Sequence, residues 1–127
     1  MSNVTPPNGA GLPSLPLPGG IHEGYIDCTA SCGLNFHVLK AGKPGQPLIL
    51  FCHGYPELAY SWRKVMPSIA AQGYFCFAMD QRGYGRTTGW DQKPYDEVDI
   101  SQYTMTNLVR DLAVSYTHLT LPTKRIV

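Results

Sequence analysis

The strongest constraint in this sequence is a pair of apolar runs separated by a segment of helical length. Leu48-Ile49-Leu50-Phe51-Cys52 and Tyr74-Phe75-Cys76-Phe77-Ala78-Met79 are apolar on consecutive residues. A strand that alternates apolar and polar residues has one wet face, whereas a continuous apolar run reads as a strand buried on both. Between the runs, Leu58, Trp62, Val65, Met66, Ile69 and Ala70 recur at spacings of three and four, the mark of an amphipathic helix. Pro67 forces a kink or restart within it, and Gly73 supplies the stop. Strand, helix, strand in this order implies a right-handed parallel crossover, and hence an α/β sheet covered by helices.

Upstream, residues 21–28 and 34–41 read as two further strands. Thr29-Ala30-Ser31-Cys32-Gly33 serves as a hairpin turn between them. Leu34, Phe36, Val38 and Ala41 set against Asn35, His37 and Lys40 come near the alternation of a half-buried strand. Residues 1–20 hold five of the eleven prolines, Pro6, Pro7, Pro13, Pro16 and Pro18, and read as a flexible or extended leader. Residues 89–101 form a polar loop carrying Asp91, Asp96, Glu97 and Asp99. Met105, Leu108, Val109 and Leu112 then mark a second helix with Thr104 as its N-cap.

Composition bounds the function. The 127 residues carry a net charge of +1 with 15% charged residues, which disfavours a nucleic-acid arm or a polybasic membrane patch. No run approaches the roughly 18 apolar residues of a membrane span. The opening MSNVTPPNGA lacks the basic and apolar regions of a secretory signal, so the expected location is cytoplasmic. There the Asn3-Val4-Thr5 triplet would stay unglycosylated and the four cysteines reduced. Cys28 and Cys32 make a poor zinc pair on their own, and Cys52 and Cys76 read as small core residues. His22 and His37 read as surface or satisfied structural residues. Tyr60 is placed to line a pocket, and Trp62 to join the core.

Two polar segments end the apolar runs, and ligands of open α/β sheets gather at such carboxyl ends. The first is His53-Gly54-Tyr55-Pro56, in which Gly54 lets the backbone turn and the Tyr55 N–H becomes a candidate oxyanion donor. A cis Tyr55-Pro56 bond would aim that amide. The second is Asp80-Gln81-Arg82-Gly83-Tyr84-Gly85-Arg86-Thr87, read as a structural turn that Gly83 and Gly85 permit and Arg82 fixes by hydrogen bonding.

Together these segments resemble the amino-terminal part of α/β-hydrolases, over residues 21–113, and most closely soluble epoxide hydrolases of the fungal and bacterial form. The resemblance implies an incomplete, N-terminal part of an α/β-hydrolase fold: a β-hairpin, then parallel strand, helix, strand and helix. His53, Gly54, Tyr55 and Pro56 match the family's His-Gly-x-Pro oxyanion motif, and Asp80 to Thr87 its Asp-x-Arg-Gly-x-Gly-x-Ser/Thr turn. In such enzymes an aspartate attacks the epoxide, and the ester is hydrolysed by a histidine-activated water, giving a diol with no metal or organic cofactor. The partner implied is a small-molecule epoxide, or a related ester or halide. Nucleophile, acid and base all follow the second helix in such chains. No elbow motif occurs here, so the 127 residues are expected to be inactive. A haloalkane or fluoroacetate dehalogenase and a serine esterase share the oxyanion motif and remain open, as does a non-catalytic receptor or binding protein of the same fold that keeps the pocket.

Residues 114–127 break the pattern. Val114-Ser115-Tyr116-Thr117-His118-Leu119-Thr120-Leu121-Pro122-Thr123 resembles the translation of a transposase-type sequencing-library adapter. Tyr116, Thr117 and Thr120 are mediocre helix formers where a helix should continue. The segment is read as a non-native tail.

Overall fold

The structure, a computed structural model, describes residues 12–90 and 93–120; the side chains of residues 95 and 118–120 are not part of that description. Four strands form one mixed sheet: β1 (Ile21–Cys28), β2 (Leu34–Ala41), β3 (Leu48–Phe51) and β4 (Phe75–Met79). Their order is β1-β2-β4-β3. β1 pairs antiparallel with β2 from Ile21 opposite Ala41 to Cys28 opposite Leu34. β4 pairs antiparallel with β2 and parallel with β3. The expected crossover between the two apolar runs is therefore present.

β4 is the strand the sequence describes best, because it has a neighbour on either side and a core on either face. Cys76 and Ala78 join Ile21, Leu39, Ala41, Phe51, Ala59 and Met66 on one face. Phe77 and Met79 join Cys28, Leu34, Phe36 and Val38 on the other. Side chains alternate along a strand, so a run with no polar residue serves two cores at once.

β3 departs from the expectation of a strand buried on both faces. Among the described residues it is the edge of the sheet, and Leu50 keeps 36% of its surface exposed. Cys52, expected in the core, lies beyond the end of the strand and is exposed. β2 departs in the opposite sense. Its polar residues do not face water: Asn35 and His37 are buried at 4% and 1% exposure, because the turn after β4 lies over them.

The hairpin connection contains one short helix, α1 (Thr29–Cys32), closed by Gly33 at φ 81°. This left-handed C-cap conformation favours glycine. After β3, a 3₁₀ turn (Ala59–Trp62) precedes α2 (Met66–Ala70). Pro67 sits in the first turn of α2, where its missing N–H costs nothing, so the proline restarts the helix rather than kinking it. The acidic loop holds two more 3₁₀ turns, Tyr95–Glu97 and Ile100–Tyr103.

α3 (Met105–Thr120) packs against β1 and α1. Thr104 caps it as expected, its Oγ1 accepting from the Asn107 N–H at 3.3 Å. The apolar stripe only partly finds the core: Leu112 packs against it, whereas Met105 and Val109 are 74% and 56% exposed. The helix is turned by its polar residues instead, since Asp111 and Ser115 are buried at 1% and 0%. The helix continues through residues 114–120, with Val114 against the core and the Ser115 hydroxyl donating to the Leu112 carbonyl.

The described part of the leader, residues 12–20, holds no helix or strand and is pinned to the body. The Leu15 N–H donates to Glu23 Oε1 at 3.1 Å, the Tyr60 hydroxyl to the Pro16 carbonyl at 3.0 Å, and Arg86 Nη1 to the Pro13 carbonyl at 2.6 Å. Asn3, Asp91 and the residues after Thr120 lie outside the described residues. No described helix is long and apolar enough to cross a membrane.

Candidate functional site

The two polar segments meet at the carboxyl ends of the parallel strands, as the crossover requires. His53 follows β3 and is buried at 6% exposure, while Tyr55, two residues on, is 86% exposed. The peptide between Tyr55 and Pro56 is cis. The turn closes on itself: the Glu57 N–H donates to the Gly54 carbonyl at 3.0 Å, and the Gly54 N–H to Glu57 Oε1 at 3.3 Å. Among the described residues no acceptor engages the Tyr55 N–H. An amide with no partner in the chain is left to donate to water or to a ligand.

Gln81 holds His53 from the end of β4. Its backbone N–H reaches His53 Nε2 at 3.0 Å, and its side-chain amide donates to the His53 carbonyl at 2.5 Å. An N–H can only donate, so Nε2 accepts and the ring proton sits on Nδ1. That proton points to the Gly54 carbonyl, 3.0 Å away. The Tyr84 ring meets the imidazole edge-on at 4.7 Å.

Asp80 is the centre of the second segment. Its carboxylate accepts from the Ala59 N–H at 2.9 Å, the Arg86 N–H at 3.0 Å and His37 Nδ1 at 2.7 Å. Burial alone would raise its pKa. The His37 hydrogen bond and the Arg86 and Ala59 amides outweigh burial and hold it below the usual aspartate range. His37 Nε2 in turn meets Glu23 Oε2 at 2.7 Å, and Arg86 Nη1 meets the same oxygen at 3.1 Å. The two ring nitrogens of His37 thus bridge the Asp80 and Glu23 carboxylates, and Arg86 meets Glu23 beneath the leader. Glu23 is also lowered: burial opposes the shift, while the Leu15 amide, His37 and Arg86 carry it.

The role expected of Arg82 is a correction. It does not fix its own turn but forks onto Asp111 of α3, with Nε to Oδ2 and Nη2 to Oδ1 both at 2.9 Å. Asp80 fixes the turn. A Cβ on Gly85, whose φ is +54°, would fall on the Asp80 carboxylate, and one on Gly83 (φ +84°) would meet the Tyr103 ring at 2.9 Å.

Of the remaining candidates, Trp62 packs against Phe51 at 5.1 Å between ring centroids, and Tyr60 is tied to the leader with Arg63 over its ring at 4.1 Å. Exposed His22 and buried His37 sit as read, but Glu23 and His37 as partners of Asp80 escaped the sequence reading. A cavity of about 450 Å³ lies between leader and β1, lined by Leu12, Leu15, Leu17, Glu23, Tyr25 and Arg86 among others. Residues 53–56 take no part in it.

Comparison with known proteins places this geometry. The family model described as the α/β hydrolase fold matches residues 47–127, more than half of the chain. An epoxide hydrolase of Caballeronia sordidicola is 38% identical over 96 residues, 76% of this chain and 26% of the relative. Epoxide hydrolase A of Mycobacterium tuberculosis is 53% identical over 53 residues, 42% of this chain and 16% of the relative. The structure of potato (Solanum tuberosum) epoxide hydrolase I matches with a TM-score of 0.64 at 39% identity, over 76% of this chain and 27% of that one. The chain thus spans about a quarter, or less, of the length of the relatives it matches. It belongs to the α/β hydrolase fold family, and within that family it is similar to epoxide hydrolases.

Proposed function

We propose that the chain supplies the oxyanion half of an epoxide-hydrolysing site. The observation that carries this reading is the Tyr55 N–H, free of any described acceptor in an exposed residue just after β3, on a turn whose histidine is held in one tautomer. A preorganised amide of this kind stabilises negative charge that develops on a reacting oxygen, and losing one such donor costs on the order of 10²–10³ in rate. His53, Gly54, Tyr55 and Pro56 form the donor turn; Asp80, Arg82, Gly83 and Gly85 form the structural turn beside it. The substrate would be a small epoxide, converted to a diol through an ester on an aspartate that these 127 residues do not place. A cytoplasmic location completes the proposal.

Residues 21–113 are assigned to the hydrolase domain, and residues 114–127 to a tail foreign to it. On this reading the 127-residue chain turns over neither epoxides nor esters at an enzymatic rate, because its sequence supplies no elbow nucleophile to open the ring or form the ester. The test compares the purified chain with the product of the uninterrupted genomic reading frame, measuring diol release from styrene oxide. Diol is expected from the longer product alone. Turnover by the 127-residue chain would overturn the division of labour. A longer product that cleaves haloalkanes or esters and spares epoxides would overturn the substrate class.

A further inference from the structure

The donor turn is stapled at both ends by the segment that ends β4. At residue 53 Gln81 binds the ring and the carbonyl of His53; at residue 59 the Asp80 carboxylate takes the Ala59 N–H. Between these anchors the described bonds of the turn are local, Gly54 with Glu57 and the Leu58 carbonyl with the Ser61 N–H. Where the Tyr55 amide points therefore depends on where Asp80 and Gln81 sit.

Asp80 is itself placed by hydrogen bonds to His37. Its Oδ2 faces His37 Nδ1 at 2.7 Å, and its backbone N–H donates to the His37 carbonyl at 2.9 Å. The Thr87 hydroxyl donates to the Asp80 carbonyl and accepts from the His37 N–H, closing a ring of bonds between β2 and the turn. On its far side His37 meets Glu23, which Arg86 and the Leu15 amide hold. Tyr25 closes the ring edge of His37 at 5.3 Å. Such a cluster of buried and half-buried polar groups is costly unless every member is paired, and pairing fixes each member in one place.

We infer that Glu23 and His37 are positioning residues: through Asp80 and Gln81 they hold residues 53–59 in the one arrangement that presents the Tyr55 N–H. This rests on the function proposed above only in what the amide is for. The positioning itself is read without any substrate, so failure of epoxide turnover and failure of the relay are told apart.

The experiment is ¹⁵N NMR of the histidine rings in the full 127-residue chain, in solution or by magic-angle spinning of sedimented protein, with amide hydrogen exchange at Ala59. The wild-type chain should show His53 as a single Nδ1–H tautomer. His37→Gln should move His53 toward the mixed tautomers of free imidazole and speed exchange at Ala59 roughly tenfold, the scale of one lost charge-assisted hydrogen bond. Glu23→Gln, which keeps the shape at the far end of the relay, should do the same to a smaller degree and serves where His37→Gln does not fold. Leu34→Ala, a cavity in the other core cluster, controls for stability and should leave the His53 signature unchanged. A wild-type His53 that is averaged or carries its proton on Nε2 overturns the inference. So does a His53 signature that ignores both relay variants, or follows Leu34→Ala equally.

Discussion

Asp111→Ala should be the most damaging single substitution on α3, and the structure sets its size. The Asp111 side chain is 1% exposed and that of Arg82 12%, and two parallel N–H···O bonds of 2.9 Å join them. Asp111 hydrogen bonding raises the pKa of the guanidinium and outweighs the burial that lowers it; without that partner Arg82 still stays charged, because a guanidinium keeps its proton far above neutral pH. The variant then buries an uncompensated cation with two donors unmet, which costs about 3–5 kcal/mol. A whole domain is stable by about 5–15 kcal/mol, so that loss is a large fraction of the total. Replacing both partners, as Arg82→Met with Asp111→Leu, removes the charge together with its need for a partner and should return stability to within about 1 kcal/mol of the parent or above it. Urea unfolding followed by far-ultraviolet circular dichroism reads both values, and an unchanged denaturant slope confirms that the same unfolding is compared. A loss below about 1 kcal/mol for Asp111→Ala would equate the pair with an exposed salt bridge and refute the reasoning. So would a double variant as unstable as the single one.

Because Glu23 and Asp80 titrate below their ordinary values, their contribution to stability is present above the unfolded carboxylate pKa, about 4, and is lost as pH falls through that range and below. Thermal melts from pH 7 to pH 3 should show this loss, and Asp80→Asn should start lower and flatten it. Gly85→Ala and Gly45→Ala both place a side chain at positive φ, at about 1–2 kcal/mol each, but only the Cβ at residue 85 also strikes the Asp80 carboxylate. The first should therefore melt well below the second, and equal melting temperatures would remove Asp80 from that contact. Amplifying the genomic locus without a transposase adapter should give a reading frame that departs from the present one after Ala113; a frame still reading Val114-Ser115-Tyr116-Thr117 would make the tail native.

The strands were legible because they rest on local signals. β1 and β2 begin and end where the sequence reading placed them, and β4 differs by one residue. What failed was exposure, which depends on neighbours distant in sequence. An apolar run such as Leu48-Ile49-Leu50-Phe51 states that both faces can be buried, but not whether the open edge of the strand has a partner. Met105 and Val109 share a helical stripe with Leu112, yet the rotation of α3 is set by Asp111, drawn inward to Arg82 from 29 residues away.

The turn at residues 53–56 was legible as a turn, since an apolar strand ends just before His-Gly and the Tyr55-Pro56 peptide is cis. Its supports were not. In β2 an alternating Asn35 and His37 look like the wet face of a strand, and only the fold brings Glu23 and Asp80, 14 and 43 residues from His37, to within 2.7 Å. The glycines pointed the right way for an incomplete reason. Gly85 is needed less for turning the chain than for leaving room for the Asp80 carboxylate. Asp80 takes the Ala59 amide with one oxygen while that room exists and His37 Nδ1 meets the other. The second segment is therefore better understood as the clamp of the first than as a turn in its own right, with Arg82 tying the clamp to α3.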